Sequence, residues 1–264
     1  MKTSFISYFL YVNCFAVLFG EQHHQSNILK AQLCVLEGMV SLAEYENRVD
    51  HKKRFNSHND VVLVMEMFNL SQQSLLDEYE AGKISLKELE QEYKDTEGFV
   101  IRHHYGMLLE AAKEMKVKLV AGFAPKDVCR AIVKDGETAL SQWTKEMFCN
   151  TKNISIEGSE KHYRYFQGLI SGNMEYVTDK YRKIFPAQVL RDSTFAYKVC
   201  EVLKSSDHHT RVLGVCGSGH VDYGFGIPER ITKDNQVYVI TSRTHNDELD
   251  KDVADCAFLY NHEH

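Results

Sequence analysis

The sequence predicts an α/β fold in which a mainly parallel β-sheet is flanked by helices on both faces. Short apolar runs rich in valine and leucine occur along the chain, as expected of strands that are buried on both faces. Segments with helical periodicity separate these runs, and no hairpin signal joins two of them. The chain has 264 residues and 44% hydrophobic content, which is sufficient for one large core.

Five apolar runs are the predicted strands. Each is short and is bounded by polar residues or glycine, which favours a buried strand over a helix. The runs are residues 15–19, 61–65, 117–121, 212–216 and 237–240.

Amphipathic segments between the strands are the predicted helices. In residues 25–49 and 188–205, apolar side chains recur with the spacing of one buried helix face. Ser85 and Glu88 form a capping-box pattern that predicts the start of another helix. The remaining helical segments are residues 70–80, 97–115, 127–133, 138–148 and 162–170.

The chain is predicted to consist of one domain followed by a tail. Residues 1–245 are expected to form a single α/β domain, and residues 246–264 an acidic tail of uncertain order. Residues 1–20 fit either a secretory signal or a mature helical turn and strand. The second interpretation is favoured, because cleavage near Gly20 would remove the strand that presents the next polar residues.

The composition of the chain limits the classes of binding partner and the cellular compartment that are expected. The net charge is −6 and no basic stripe with interleaved aromatic residues is present, so nucleic acid is not an expected partner. Seven scattered cysteines without a C-x-x-C pair indicate free thiols, and an intracellular soluble protein is favoured. No segment beyond the first twenty residues is long and apolar enough to span a bilayer.

Charged and imidazole side chains follow three of the predicted strands. Glu21 and His23 follow the first strand, Glu66 follows the second, and His220 follows the fourth. The first and fourth strands share the pattern Gly-x-x-His. Because right-handed crossovers place the carboxyl ends of parallel strands at one edge, these side chains are expected to meet there, where such sheets bind ligands.

Three kinds of role are open to these side chains. His23, Glu66 and His220 can supply the nitrogen and oxygen ligands of a divalent metal ion. Alternatively, the histidines and Glu66 act as general acid and base, with Glu66 perturbed by burial or by a histidinium neighbour. In the third interpretation, each histidine only hydrogen-bonds a loop carbonyl and holds a turn.

Four tyrosines are candidates for binding a planar ligand. Tyr105, Tyr163, Tyr165 and Tyr223 can line a pocket or ligate ferric haem as phenolates. The alternative for each tyrosine is ordinary packing with a satisfied hydroxyl.

Two familiar glycine motifs are not supported. Gly217-x-Gly219 is followed by Pro228 and a polar segment rather than by the helix of a dinucleotide fingerprint. The same stretch lacks the Gly-x-Ser-x-Gly spacing of a nucleophile elbow. Neither nucleotide binding nor serine hydrolysis is therefore expected.

Several motifs lie in a fixed order along the chain. They are Gly20-Glu21-Gln22-His23, Glu66-Met67-Phe68, Gln188-Val189-Leu190-Arg191-Asp192 with Ala196, Gly217-Ser218-Gly219-His220-Val221-Asp222-Tyr223-Gly224, and Gly226-Ile227-Pro228. Together they resemble the ChaN-like family of the haem-binding uptake and Tiki superfamily, over residues 14–232.

The resemblance implies a pocket for haem or another tetrapyrrole above the strand ends. It also implies a helical lid, formed by the helices around Tyr105 and Tyr163, and a homodimer that shares the ligand. Glu21, His23, Glu66 and His220 would shape the polar floor. The cofactor-binding residues expected on this basis are His23, Tyr105, Tyr163, Tyr165, His220 and Tyr223, with Tyr163 and Tyr165 as candidates for the iron ligand.

The Tiki and erythromycin esterase branches imply a different activity, that of a metal-dependent hydrolase. In this alternative His23, Glu66 and His220 bind the cation. Glu21 would then activate water, as a carboxylate near a metal-bound water can. A third alternative is a retained fold whose site only stabilises an interaction surface.

Overall fold

The computed structural model describes residues 15–49, 60–93, 98–147, 154–205, 210–231 and 236–261. It confirms the predicted α/β architecture. Six strands form one sheet in the order β3-β2-β4-β1-β5-β6, and every pairing among them is parallel. The strands are β1 (Ala16–Glu21), β2 (Val61–Asn69), β3 (Lys118–Phe123), β4 (Arg211–Gly217), β5 (Val237–Thr244) and β6 (Cys256–Tyr260).

Helices lie between β1 and β2, between β2 and β3 and between β3 and β4, and they cover both faces of the sheet. The α-helices are α1 (Ser26–Val49), α2 (Gln73–Glu80), α3 (Leu86–Glu92), α4 (Ile101–Glu114), α5 (Lys126–Asp135), α6 (Glu137–Met147), α7 (Glu160–Ser171) and α8 (Phe185–Ser205). Short 3₁₀ helices occupy Leu70–Gln72, Asp179–Tyr181, Ser218–His220, Asp222–Gly224 and Pro228–Arg230. The capping box predicted at the start of α3 is present.

Alternate residues of the strands supply two separate cores. Val17 and Phe19 of β1 pack with α1 and α4 on one face of the sheet. Ala16 and Leu18 pack with α8 on the other face. Since both faces are covered, strands β1 to β5 each contain a continuous apolar run, which is why such runs predicted these five strands.

The carboxyl-terminal segment differs from its prediction as an acidic tail of uncertain order. Within residues 246–264, strand β6 pairs with β5 at the edge of the sheet. The strand has only five residues, and four of them are partly exposed. Acidic residues precede it, including Asp255, whose carboxylate accepts the Val239 N–H at 2.8 Å. A short edge strand with this flank lacks the buried apolar run by which the other strands were found.

Residues 1–14, which include most of the segment with competing signal and mature-strand interpretations, lie outside the described residues. Strand β1 begins at Ala16. Among the helices that the structure describes, none combines the length and the apolar character needed to cross a membrane.

Two glycines give a matched test of core packing. A Cβ added at Gly122 would meet the ring of Phe195 and lie 2.9 Å from the Met65 carbonyl oxygen, whereas one added at Gly38 in α1 would meet nothing within 4 Å. We expect Gly122→Ala to destabilise the protein by about 1–3 kcal/mol because of overpacking. Gly38→Ala should stabilise it by about 0.5–1 kcal/mol through helix propensity. Urea unfolding measures both, and a Gly122→Ala protein as stable as Gly38→Ala would contradict the packing described.

Candidate functional site at the carboxyl edge of the sheet

Five polar side chains gather where the parallel strands end; we call them the strand-end site. Its members are Glu21, His23, Glu66, Asp192 and His220. The four residues expected from the sequence are therefore brought together, and Asp192 of α8 joins them. The register of β1 with β4 pairs Glu21 with Gly217, which places the two Gly-x-x-His turns side by side.

Glu21 holds His23 in place. Its Oε1 lies 2.7 Å from His23 Nδ1 and accepts the Tyr105 hydroxyl hydrogen at 2.5 Å. Its Oε2 accepts a hydrogen bond from the Gln32 amide. Because both oxygens of this buried carboxylate are engaged, Glu21 orients an imidazole. The role of activating water, expected in the hydrolase alternative, does not suit a carboxylate with these partners.

Asp192 holds His220 in the same way. Its Oδ1 lies 2.5 Å from His220 Nδ1, and the Gln188 amide nitrogen lies 3.0 Å from the same ring nitrogen. Sequence reasoning did not select Asp192 as a site residue. A signal was present, since Val189 and Phe195 are buried three residues to either side on α8, and an acid at such a position needs a partner.

Glu66 lies between the two imidazoles. Its Oε1 is 3.9 Å from His23 Nε2 and 3.9 Å from His220 Nε2, while its Oε2 accepts the Gly217 N–H at 2.5 Å. Glu66 is part of β2 rather than following it. The register between β2 and β3 shifts between Met65 and Asn69, so Glu66 lies in the irregular part of the strand, at the edge of the sheet.

The carboxylates change the acidity of both histidines. Burial alone lowers the pKa of His23, but the hydrogen bond to Glu21 and the charge of Glu66 outweigh burial and raise it. Burial also opposes protonation of His220, and the charges of Asp192 and Glu66 outweigh that effect and raise its pKa. The site therefore attracts positive charge, either as protons on the imidazoles or as a cation.

The four predicted tyrosines have different environments. Tyr105 is buried against Glu21, and the Tyr165 hydroxyl donates to Asp222 Oδ2 at 2.6 Å. Tyr163 is fully buried and donates to the Thr178 carbonyl oxygen. Burial and neighbouring carboxylates raise the pKa of Tyr105, of Tyr165 and of Tyr223, which disfavours the phenolate form of all three, so accessibility is what distinguishes them. Tyr223, with 38% exposure, is the accessible member of the four.

Helices α4 and α7, which were expected to form a lid, occupy different positions. Helix α4 packs against α1 and carries Tyr105 into the core on one face of the sheet. Helix α7 lies over residues 217–226, which we call the glycine loop. A Cβ at Gly219 would lie 2.8 Å from Leu169 Cδ1, and the Tyr165 ring is 5.2 Å from the Tyr223 ring. Helix α7 thus covers the glycine loop that follows β4, whereas Tyr105 of α4 contacts Glu21 at the end of β1.

Exposed apolar side chains cluster at the end of α7 and in the loop that follows it. We call this cluster the apolar surface. It adjoins the strand-end site, because Leu169 approaches Gly219, the residue before His220. Its members are Leu169, Ile170, Met174, Tyr176 and Val177, each at least 41% exposed.

A second group of histidines lies beside His23, whose ring centroid is 6.1 Å from that of His24. His24 Nδ1 is 3.1 Å from His104 Nε2, and the His24 ring is stacked with Phe99. These histidines and His103 line a pocket of about 140 Å³ that reaches Glu21. Burial and the neighbouring histidines lower the pKa of His104, so this group is less suited than the strand-end site to positive charge.

No preformed metal cluster is seen in the described part of the chain, since no three His, Cys, Asp or Glu side chains there are close enough to hold an ion. The donor set of the strand-end site nevertheless suits a divalent cation, with two imidazole Nε2 atoms facing one carboxylate oxygen. The fold and the site thus define an α/β protein with a polar, two-imidazole site at the carboxyl edge of a parallel sheet.

The chain belongs to the family described as haem-binding uptake, Tiki superfamily, ChaN, whose family model matches residues 14–231. The resemblance found in the sequence motifs is therefore confirmed. No curated protein matches the chain significantly in sequence.

Solved structures are similar to the chain at low sequence identity. ChaN of Campylobacter jejuni, a structure described as showing cofacial haem binding, is similar with a TM-score of 0.65 and 16% identity, covering 95% of this chain and 88% of that chain. A mutant of erythromycin esterase EreC in its open conformation has a TM-score of 0.49 and 13% identity, covering 89% and 71%. The type III effector HopBA1 has a TM-score of 0.48 and 11% identity, covering 99% and 94%.

Proposed function

We propose that this protein binds haem or a related planar tetrapyrrole at the carboxyl edge of its sheet. The observation that supports this function is the apolar surface beside the glycine loop, in a member of a haem-binding family. Contiguous exposed apolar groups that adjoin polar side chains are typical of ligand or partner sites. The macrocycle would pack on the apolar surface, and the strand-end site would form the polar floor.

Solvent accessibility limits which side chains can contact the iron. Tyr223 is 38% exposed and is held at a φ of +57° in the glycine loop, a conformation that is uncommon for a large side chain. His23, with 34% of its side chain exposed, is the second accessible ligand. The three buried tyrosines, Tyr105, Tyr163 and Tyr165, stabilise the site through their internal hydrogen bonds. His220 is buried below the surface of the site.

Hemin titration tests the proposal. The wild-type protein should give a saturable shift of the Soret band, and Tyr223→Phe should change the position of the band and weaken binding at least about tenfold, equivalent to about 1.4 kcal/mol. Tyr45→Phe is the matched control, because Tyr45 is 65% exposed on α1, and its titration should equal that of the wild type. A wild-type spectrum that does not saturate would exclude haem binding. A normal Tyr223→Phe titration would exclude Tyr223 as the iron ligand.

Haem binding in turn suggests a homodimer. An apolar surface that covers only one side of a flat ligand leaves the other side exposed to water, and a second copy of the chain would cover it. Sedimentation of the protein with and without hemin measures this. A monomer in the presence of saturating hemin would remove the homodimer from the proposal and leave haem binding intact.

The strand-end site favours a second candidate function, metal-dependent hydrolysis. In each histidine, Nδ1 contacts a carboxylate and Nε2 faces Glu66, which is the second-shell arrangement typical of metal-bound histidine. Tetrahedral zinc, with bonds of about 2.0–2.1 Å, holds neighbouring ligand atoms about 3.3–3.4 Å apart. Glu66 Oε1 is 3.9 Å from His23 Nε2 and from His220 Nε2, so each pair would have to approach by about half an ångström to share one ion. A cation held there would supply Lewis acidity to a hydrolytic reaction.

Equilibrium dialysis of untagged protein against Zn²⁺ tests this candidate. We expect close to one equivalent of bound zinc per chain, because small movements of the His23 and His220 side chains would bring two imidazoles and the Glu66 carboxylate onto one ion. Less than about a tenth of an equivalent after dialysis would rule out a zinc site of useful affinity.

A further inference from the structure

His162 is a buried histidine that neither candidate function uses. It lies in the first turn of α7, where its backbone N–H donates to the Ser159 hydroxyl at 3.1 Å. Its side chain is fully buried. The ring centroid is 4.9 Å from that of Phe185 in an edge-on contact and 6.0 Å from that of Phe225, which is nearly parallel. An imidazole placed between two phenyl rings is costly to bury unless its nitrogens meet polar groups.

Both ring nitrogens of His162 face carboxylates. Nδ1 lies 3.3 Å from Glu229 Oε1, and Nε2 lies 3.6 Å from Asp192 Oδ2. Asp192 is fully buried, and neither its Oδ2 nor either ring nitrogen of His162 forms a hydrogen bond among the described residues. The His162 ring therefore faces this carboxylate oxygen at ion-pair distance, where a small movement of either side chain would complete a hydrogen bond.

Asp192 connects His162 to the strand-end site through its second oxygen. Oδ1 contacts His220 Nδ1, and His220 Nε2 faces Glu66. A carboxylate on one ring nitrogen fixes the tautomer and the orientation of the imidazole, and so determines what the other nitrogen can do. Any group that holds Asp192 in place also fixes the direction of His220 Nε2.

We propose that His162 is a positioning residue, which holds the Asp192 carboxylate in the orientation that fixes the tautomer of His220. Glu229 anchors the opposite side of the His162 ring, and Arg230 in turn pairs with Glu229. The inference rests on the proposed function, in which the strand-end site contacts the ligand or a cation. With His162 and Glu229 included, the site extends away from the sheet edge towards α7 and the 3₁₀ helix Pro228–Arg230.

The ¹⁵N resonances of the His220 ring measure this effect directly, because ring nitrogen shifts depend on the tautomer. They are recorded on the full-length protein without hemin or zinc. We expect His162→Phe to shift both His220 nitrogen resonances in the same direction as Asp192→Asn, since the first change loosens the carboxylate that contacts Nδ1 and the second replaces it by a neutral amide. A phenylalanine at position 162 fills a similar volume between Phe185 and Phe225, so packing is largely retained.

Phe166→Leu is the control, because Phe166 packs against Phe185 in the same cluster and is not a partner of Asp192 in the described contacts. It should leave the His220 resonances unchanged. Unchanged His220 resonances in a folded His162→Phe protein would overturn the proposal. Should that variant not fold, His162→Asn, whose side chain is too short to reach Asp192 Oδ2, is measured in its place with the same two outcomes. Failure to bind hemin or zinc would contradict the proposed function but would not alter these resonances.

Discussion

Replacing Asp222 by alanine is expected to destabilise the protein by about 3–5 kcal/mol, the cost of breaking a buried charge network by removing one partner. The Asp222 side chain is almost completely buried. Its Oδ1 accepts the Thr241 hydroxyl at 2.7 Å, and its Oδ2 accepts the Tyr165 hydroxyl at 2.6 Å and Arg243 Nη2 at 2.5 Å. Loss of the carboxylate would leave the Arg243 guanidinium without its buried counter-charge.

The free energy of unfolding from urea titration measures this loss. Asp179→Ala is the control, because Asp179 forms an exposed pair with Arg182 on the surface and such pairs contribute only about 0–1 kcal/mol. Equal losses in the two variants would show that Asp222 does not connect the glycine loop to β5 and α7 as described.

Replacing His23 by alanine is expected to lower zinc affinity by at least about tenfold to a hundredfold. Loss of a residue that only orients a metal ligand already has an effect of this size, and His23 would be a ligand itself. The reason is that His23 Nε2 is one of the two nitrogens that face Glu66 Oε1. Competition with a chromophoric chelator measures the affinity of wild-type and His23→Ala proteins. The wild-type protein must bind zinc first for the comparison to be made.

His24 provides a neighbouring control. Its ring contacts His104 instead of Glu66, and its backbone has a φ of +68°. Asparagine tolerates this left-handed conformation, so His24→Asn removes the imidazole without strain. We expect zinc affinity close to that of the wild type. A larger loss for His24→Asn than for His23→Ala would place the cation in the pocket beside His104 and not at Glu66.

The sequence predicted the sheet and the meeting of Glu21, His23, Glu66 and His220 because both depend on local patterns. Strands buried on both faces are continuously apolar, and parallel strands end at a common edge. Asp192 could not be assigned in the same way. Helical periodicity shows that its side chain points inward, but the partner it meets, His220, depends on how α8 crosses the sheet.

The tyrosines show the same limit of sequence reasoning. Tyr163 and Tyr165 were candidates for the iron ligand on the basis of the family resemblance, and the structure buries both of them with internal hydrogen bonds. Composition indicates that a segment is rich in phenols, but it does not show which hydroxyls reach water. That distinction depends on the rotation of α7 about its axis, which is fixed by packing against Phe185 and the glycine loop.

The strand order has a consequence for biosynthesis. Strand β1 lies between β4 and β5, although β4 begins at Arg211, about 195 residues after Ala16. At about 5–20 residues per second, a ribosome needs about 10 to 40 seconds to translate that interval. During this time the nascent β1, which is apolar along most of its length, has neither neighbour available. We expect slow maturation of a fold with such distant pairings, and the growing chain is a natural substrate for chaperones until β4 and β5 emerge.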